Sequence, residues 1–310
     1  MITRILIRIK VVQIVYSYLL TKENKTIAEA KKELNKSLDK AYELYISMLV
    51  LMMDLTDYHE FKLDEAKHKY LPTEEDMNPN MRFAENQLVA KLRNDVKLQE
   101  YLQETPITWR EDIIFMKMMH EKIVHSNIYK EYMAKESSSF EDDCNLWKDL
   151  LKKVIFVDED LLELLEAKSV YWNDDLNVMG TFVLKTIKQY ATKPESATIQ
   201  EKYKNKEDED FGERLFNYVV RENEENNNII DKFIVKDQWD ADRIAFMDRV
   251  VLSVALSEVK NVDSVPTKVT MNEFIEIAKF YSTSKSGQFI NGILSSAINY
   301  LKDSGRINKE

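Results

Sequence analysis

The side chains in this 310-residue chain that could hold a metal or act as nucleophile, acid or base are four histidines, one cysteine and several paired carboxylates. His120-Glu121-Lys122-Ile123-Val124-His125 resembles a zinc-protease helix only superficially. Its histidines stand five residues apart, one too many for two ligands on one helical face. Cys144 has no second cysteine for zinc and no neighbouring histidine to activate it. Asp142-Asp143 and Asp174-Asp175 lie in acidic runs that read as solvated. No G-x-G-x-x-G and no P-loop occurs. Met52-Met53 and the methionines from Met116 to Met119 read as adaptable core. The expectation is a protein with no catalytic residue, no metal and no cofactor.

Charge is the chemistry that remains. The chain carries a net charge of −10, which disfavours nonspecific nucleic-acid binding by the whole surface. Residues 1–20, however, hold Arg4, Arg8 and Lys10 and no acid, whereas residues 141–175 hold eleven acids against four lysines. An RNA site would therefore be local and near the N-terminus, with the acidic middle repelling RNA from other surfaces. Arg4 and Arg8 are i, i+4 and share a helical face.

Gly and Pro are scarce, at five each, which favours an all-α fold over one rich in β-turns. A single cysteine fits a reducing compartment. No apolar run reaches the roughly 18 residues of a membrane span, and the charged N-terminus lacks the pattern of a secretory signal. A cytoplasmic protein without membrane association is expected.

The most informative stretch runs from Asp242 to Lys302. Ile244, Met247, Val251, Val254 and Ala255 give one apolar helical face, with Asp248, Arg249 and Glu258 off it. Pro266 stops that helix. Thr270 and Glu273 have the spacing of a capping box for the next one, which carries Phe274, Ile277, Ala278 and Tyr281. A Ser/Lys/Gly break from Ser282 to Gly287 precedes a last helix opening with Gln288-Phe289-Ile290-Asn291-Gly292-Ile293-Leu294. In order and spacing this set resembles the transcription antitermination factor NusB family, whose pattern there is roughly V-P-x-K-V-x-I-N-E-x-I-E-x-A-K, a short polar loop, then K-F-V-N-G-V-L. Val265, Pro266, Lys268, Val269, Asn272, Glu273, Ile275, Glu276, Ala278 and Lys279 match, as do Phe289, Asn291, Gly292 and Leu294. Val269, Ile275, Ala278 and Leu294 are read as packing residues.

Elsewhere the spacing Arg8-x-x-Val11-x-Gln13-x-x-Tyr16 resembles the family's opening helix, here over Thr3–Leu20. Ile5, Leu6, Ile7 and Val11 depart from the family's arginine- and alanine-rich pattern. Phe211, Arg214, Leu215, Val219 and Asn223, then Ile230-Asp231 and Ile234, resemble two further family helices. Thr26-x-x-Glu29 predicts a helix reaching about Met53, and Thr108-x-x-Glu111 one reaching about Lys135. Ser137 to Asp143 reads as a linker, with helices near Cys144–Phe156, Asp158–Lys168 and Asp175–Tyr190. The expected organisation is a compact NusB-like helical bundle built from residues 1–56 and 207–305. A helical insertion of unknown role at 57–206 separates them, and 306–310 form a tail.

The resemblance implies a non-enzymatic RNA-binding transcription antitermination factor. It would bind boxA-type single-stranded RNA together with ribosomal protein NusE, and act on the RNA polymerase elongation complex with other Nus factors during rRNA transcription. Carried over residue by residue, it points to Arg4, Arg8 and Lys10 for RNA, to which Gln288 and Phe289 at the start of the last helix are added. Lys285, also a candidate, falls in the polar loop where relatives commonly hold an acid and so changes the local charge. Asp248 and Arg249 fall at family positions for the partner surface. Phe289 admits two readings, a ring stacked on an unpaired base or a core residue. An RNA cytosine methyltransferase, which can carry the same helical domain, needs a glycine-rich loop and catalytic cysteines that five glycines and one cysteine do not supply. A helical protein–protein scaffold without RNA binding is the alternative.

Overall fold

The computed structural model describes residues 2–234, 245–283 and 285–309. Asp242, where the informative stretch begins, Ile244 of its apolar stripe, and Ser284 of the polar break lie outside the described residues. Fourteen α-helices occur among the described residues, which contain no strand. They are α1 (Arg4–Thr21), α2 (Ile27–Lys67), α3 (Glu74–Met77), α4 (Gln87–Arg93), α5 (Val96–Glu104), α6 (Ile113–His125), α7 (Asn127–Met133), α8 (Phe140–Leu150), α9 (Glu159–Lys168), α10 (Leu176–Thr192), α11 (Lys206–Phe233), α12 (Phe246–Asn261), α13 (Thr267–Tyr281) and α14 (Ser286–Asp303). A π-helical turn, Leu151–Ile155, prolongs α8, and a 3₁₀ turn, Val170–Trp172, precedes α10. The chain divides into two compact units, residues 2–38 with 203–310 and residues 39–202.

In the first unit α12 is the centre, packed by α1, α11, α13 and α14. Its sequence was read as one apolar stripe. Instead it is buried on nearly every side from Val250 to Val259, with Ser253, Ser257 and Glu258 enclosed among the aliphatic residues. A helix surrounded in this way needs internal partners for its polar groups. Asn226 of α11 supplies two, donating to Ser253 O at 3.2 Å and Ser257 Oγ at 2.8 Å. Gly212 brings α11 close to α1: a Cβ there would stand 3.0 Å from Ile7 Cγ2. Residues 206–233 form a single helix where the pattern suggested two.

Thr26 does form its capping box, donating its N–H to Glu29 Oε2 at 2.8 Å and accepting from Glu29 N at 3.2 Å. The helix it starts, α2, runs past Met53 to Lys67, so the boundary drawn at 56 falls inside it. Helix continues through Asp54, Thr56 and His59 because each is buried with a partner. Asp54 accepts from Trp109 N at 2.8 Å and from Arg110 Nε at 2.9 Å, and Thr56 donates to Met52 O at 2.9 Å. The capping box expected at Thr108 does not form. Its hydroxyl turns to Asp54, and the helix opens at Ile113 instead. Conversely, Ser139 and Asp142 form a capping box inside the presumed linker, starting α8 at Phe140.

In the unit of residues 39–202, α8 and its π-helical extension are packed by α4, α6, α7 and α10. Trp109, Trp147, Tyr45 and Phe83 are its largest fully enclosed side chains. Trp109 Nε1 donates to Ser47 O at 2.9 Å, and Trp172 Nε1 to Lys40 O at 2.7 Å. No helix among the described residues is long and apolar enough to cross a membrane.

Candidate functional site

Arg8 does not lie on a solvated face. Its side chain is 4% exposed, and its Nε and Nη2 donate to Glu258 Oε2 and Oε1 at 2.7 and 2.9 Å. Glu258 is fully buried in α12, and Thr270 Oγ1 donates to its Oε1 at 2.7 Å. The Thr270 hydroxyl is therefore not a cap. α13 begins three residues earlier, at Thr267, with Pro266 as the capping residue. Three helices, α1, α12 and α13, thus meet at one bidentate ion pair whose oxygens are filled by hydrogen bonds, the arrangement a buried charge requires. Lys10 is likewise buried, at 3% exposure. Arg4 sits at the rim. Its Nε donates to Asp208 Oδ1 at 2.8 Å, its Nη2 pairs with Glu207 at 2.8 Å, and both acids belong to the first turn of α11.

The basic helix expected from charge alone is thus a packing helix. Arg8 and Lys10 are withdrawn from solvent, and Arg4 is held by two carboxylates.

The head of α14 differs. Lys285, its capping residue, and Gln288 are exposed. Phe289 is only 6% exposed, so the core reading holds for it and the stacking reading does not. The reason is helical phase: Phe289, Ile290, Ile293 and Leu294 share the face that packs inward. Behind the loop lies Asp248, 5% exposed, accepting from Ser286 Oγ at 3.0 Å while its other oxygen, Oδ1, is buried without a hydrogen-bond partner among the described residues. Ser286 is the first residue of α14, so the carboxylate stands at the positive end of that helix. Arg249 turns outward to Asp231 at 2.8 Å. Asp248 is therefore an internal brace of the loop, and Arg249 is the half-exposed member of the pair.

Lys279, a motif residue, has a place at the site. Its stem lies under the same loop, 2.9 Å from where a Cβ on Gly287 would stand, and its ammonium is exposed, donating to Glu276 at 2.6 Å. The packing reading holds for Ala278 and Leu294. Val269 is 42% exposed and Ile275 half-buried, because α13 turns that edge outward. Glu258 has a signal in the sequence: a lone acid directly after Ser253-Val254-Ala255-Leu256-Ser257 and before Val259 must have a partner if the helix is buried.

In the other unit, His120 and His125 do not share a site. His120 is buried against His59, with ring nitrogens 2.9 Å apart, while His125 is exposed and contacts the Glu121 carbonyl. Burial pushes both His59 and His120 down to about 4. Burial, with Asp143 and Glu141 nearby, pushes the Cys144 thiol up to about 12. Among the described residues no group of three or more His, Cys, Asp or Glu could hold a metal ion.

The sequence profile of the NusB family matches residues 174–299. It begins 33 residues before the expected segment boundary at 207, and so takes in α10. The transcription antitermination protein NusB of Salinibacter ruber is 44% identical over 100 residues, covering 32% of this chain and 61% of that protein. The protein of the same name from Chloroherpeton thalassium is 41% identical over 102 residues, covering 32% of this chain and 46% of that one. These stretches fall short of two thirds of either relative. The Listeria monocytogenes transcription antitermination protein NusB is 40% identical over 89 residues, 29% of this chain and 68% of that protein. An all-α bundle with its motif residues at the α13–α14 junction, and a relative matched over two thirds of its length at that identity, place the chain in the NusB family.

Proposed function

We propose that this protein is a transcription antitermination factor without enzymatic activity that binds boxA-type single-stranded RNA together with ribosomal protein NusE, as part of an RNA polymerase elongation complex with other Nus factors, in the cytoplasm. Family membership supports the antitermination role. The observation that carries the RNA reading is the head of α14. There an exposed cation, Lys285, and an exposed amide, Gln288, sit on a helix start braced by Ser286 and Asp248. A lysine can neutralise a phosphate and an amide can hydrogen-bond a base edge. Arg4 joins them as an edge contact, while Arg8, Lys10 and Phe289 hold the platform. Arg249, half-exposed, is the residue kept for NusE contact, with Asp248 setting the loop. Residues 1–56 and 207–305 are proposed to act as the family domain, interrupted by 57–206. The grouping of 2–38 with 203–310 in one compact unit supports the joining of the two ends, with 39–56 grouped with the middle segment.

The reading without RNA, a protein–protein scaffold, draws on the burial of Arg8 and Lys10 and the net charge of −10. Fluorescence anisotropy with labelled boxA RNA, with and without NusE, separates the two. Binding that strengthens with NusE and weakens in Lys285→Glu and Gln288→Ala supports the RNA function. NusE binding with no RNA affinity above that for an unrelated sequence overturns it in favour of the scaffold.

A further inference from the structure

We propose that the groove between α6 and α9 docks a basic amphipathic helical segment of a protein partner. The groove has a volume of about 680 Å³. Phe115, Met118 and Leu164 line it, and Ile113 and Ile114 stand on it 69% and 78% exposed. Two adjacent β-branched residues do nothing for the first turn of α6: their helix propensity is low, and neither packs inward. Apolar side chains gathered this way and ringed by polar groups mark a contact surface.

The ring decides the occupant. Glu111, Asp112, Asp160 and Glu163 form it. Lys168 pairs with Asp112 at 2.7 Å, and Lys122 is shared between Asp158 and Asp160 at 2.5 and 2.7 Å. Glu111 and Glu163 are exposed and have no ion pair among the described residues. The rim is therefore negative, within a stretch of sequence that is itself strongly acidic. RNA and acidic proteins are repelled. A second copy docked symmetrically would bring like rims together. A helix with apolar residues at i, i+3, i+4 and i+7 and lysines or arginines on its flanks satisfies both the floor and the ring.

The test uses the full chain and a labelled synthetic peptide of about 16 residues, roughly 24 Å as a helix, with leucines at that spacing and lysines elsewhere. A matched peptide carries glutamates in place of the lysines. Anisotropy should show saturable binding of the lysine peptide only. Binding should weaken at least roughly 10-fold in Ile113→Ser/Ile114→Ser and in Glu111→Lys/Glu163→Lys. It should be unchanged in Val96→Ser and Tyr70→Ser, exposed apolar positions elsewhere in the unit. Melting temperatures of all variants should match the parent, because the altered side chains lie outside the core. The proposal is overturned if the glutamate peptide binds as well, if the lysine peptide does not bind, or if the groove variants bind like the parent. It is also overturned if Val96→Ser or Tyr70→Ser weakens binding equally, or if the isoleucine variant melts early. Sedimentation showing self-association of the parent that the isoleucine variant abolishes would assign the groove to a second copy and overturn it too.

Discussion

Arg8 with Glu258 in one unit, and His59 with His120 in the other, are both ionisable pairs removed from water, and they meet the cost of burial in opposite ways. A guanidinium keeps its charge on burial, so it needs a carboxylate partner and every donor must be placed. The imidazoles simply go neutral, one nitrogen donating to the other, inside a cage of Tyr58, Phe83 and Tyr129. The first solution ties three helices together, since the carboxylate of α12 takes its hydrogen bonds from Arg8 of α1 and Thr270 of α13. The second leaves the unit of residues 39–202 responsive to pH. The same comparison sorts the candidate RNA residues: cations that complete a buried pair are structural, and those at the head of α14 face solvent.

The largest test of this contrast is to remove one member of the charged pair. Arg8→Ala or Glu258→Ala should lower stability by about 3–5 kcal/mol, because a buried charge is left unpaired. Arg8→Met/Glu258→Leu should recover much of that loss in urea unfolding. A single variant within 1 kcal/mol of the parent, on the order of the effect of an exposed pair, would show that the pair is solvated. Next in size is Phe289→Ala, expected to cost about 3 kcal/mol as a buried ring. At temperatures where the variant stays folded, its RNA affinity should equal the parent's. A folded variant that has lost affinity would return the ring to the binding surface.

The family motif was legible in sequence because its residues are neighbours: Pro266, Asn272, Glu273 and the Phe289–Leu294 run lie within one supersecondary unit. Thr26 capped as its local pattern demanded, having no competitor for its hydroxyl. Thr108 and Thr270 have the same pattern, yet their hydroxyls are claimed by buried carboxylates, Asp54 and Glu258, that no window of a few residues contains. The misreading of Arg8 has the same origin, since its partner is 250 positions away. Charge counted along α1 suggested an RNA surface, whereas charge placed in the fold made a core. For the exposed pair Lys285 and Gln288 the family motif gave only the place, the start of the last helix. Lys285 stands where relatives commonly hold an acid and Gln288 where the pattern has lysine, and nothing local in a Ser/Lys/Gly loop separates a ligand-facing lysine from an ordinary one.

A smaller effect separates the two units by pH. Both histidines stand at about 4 when folded against 6.5 unperturbed, so the unfolded chain takes up protons first as pH falls. Their neutral burial is thus fully stabilising above pH 6.5, and the benefit is lost progressively as pH drops from 6.5 toward about 4. The slope is at most about 1.4 kcal/mol per pH unit for each proton taken up. All four histidines lie in the unit of residues 39–202. Carboxylates held below their ordinary range, such as Glu213 and Glu222 in the other unit, act with the same sign but only near and below pH 4.5. Between pH 6.5 and 5, therefore, tryptophan fluorescence should report early unfolding, since three of the four tryptophans, Trp109, Trp147 and Trp172, lie in the histidine-bearing unit, and Trp239→Phe removes the fourth from the signal. His59→Gln/His120→Gln should flatten the pH dependence in that window. An unchanged slope would mean that the pair is not the group that titrates.

The smallest effect is the most specific to function. If Lys285 contacts a phosphate of single-stranded RNA, Lys285→Gln should make the dependence of log K on log salt shallower by about 0.7. The whole protein, with Lys285 and the partly held Arg4 as its contributors, should show a slope between about −0.7 and −1.4. That is well short of the roughly −3 expected had Arg8 and Lys10 been free as well. Preference for boxA over unrelated RNA should survive Lys285→Gln, because phosphate contacts position the strand without reading it. Gln288→Ala should do the reverse, eroding sequence preference while leaving the salt slope alone. Arg8→Gln, measured where it remains folded, should alter neither. A change in salt slope at Arg8 with none at Lys285 would invert the assignment, moving the RNA back to α1 and requiring the Glu258 pair to open when RNA binds.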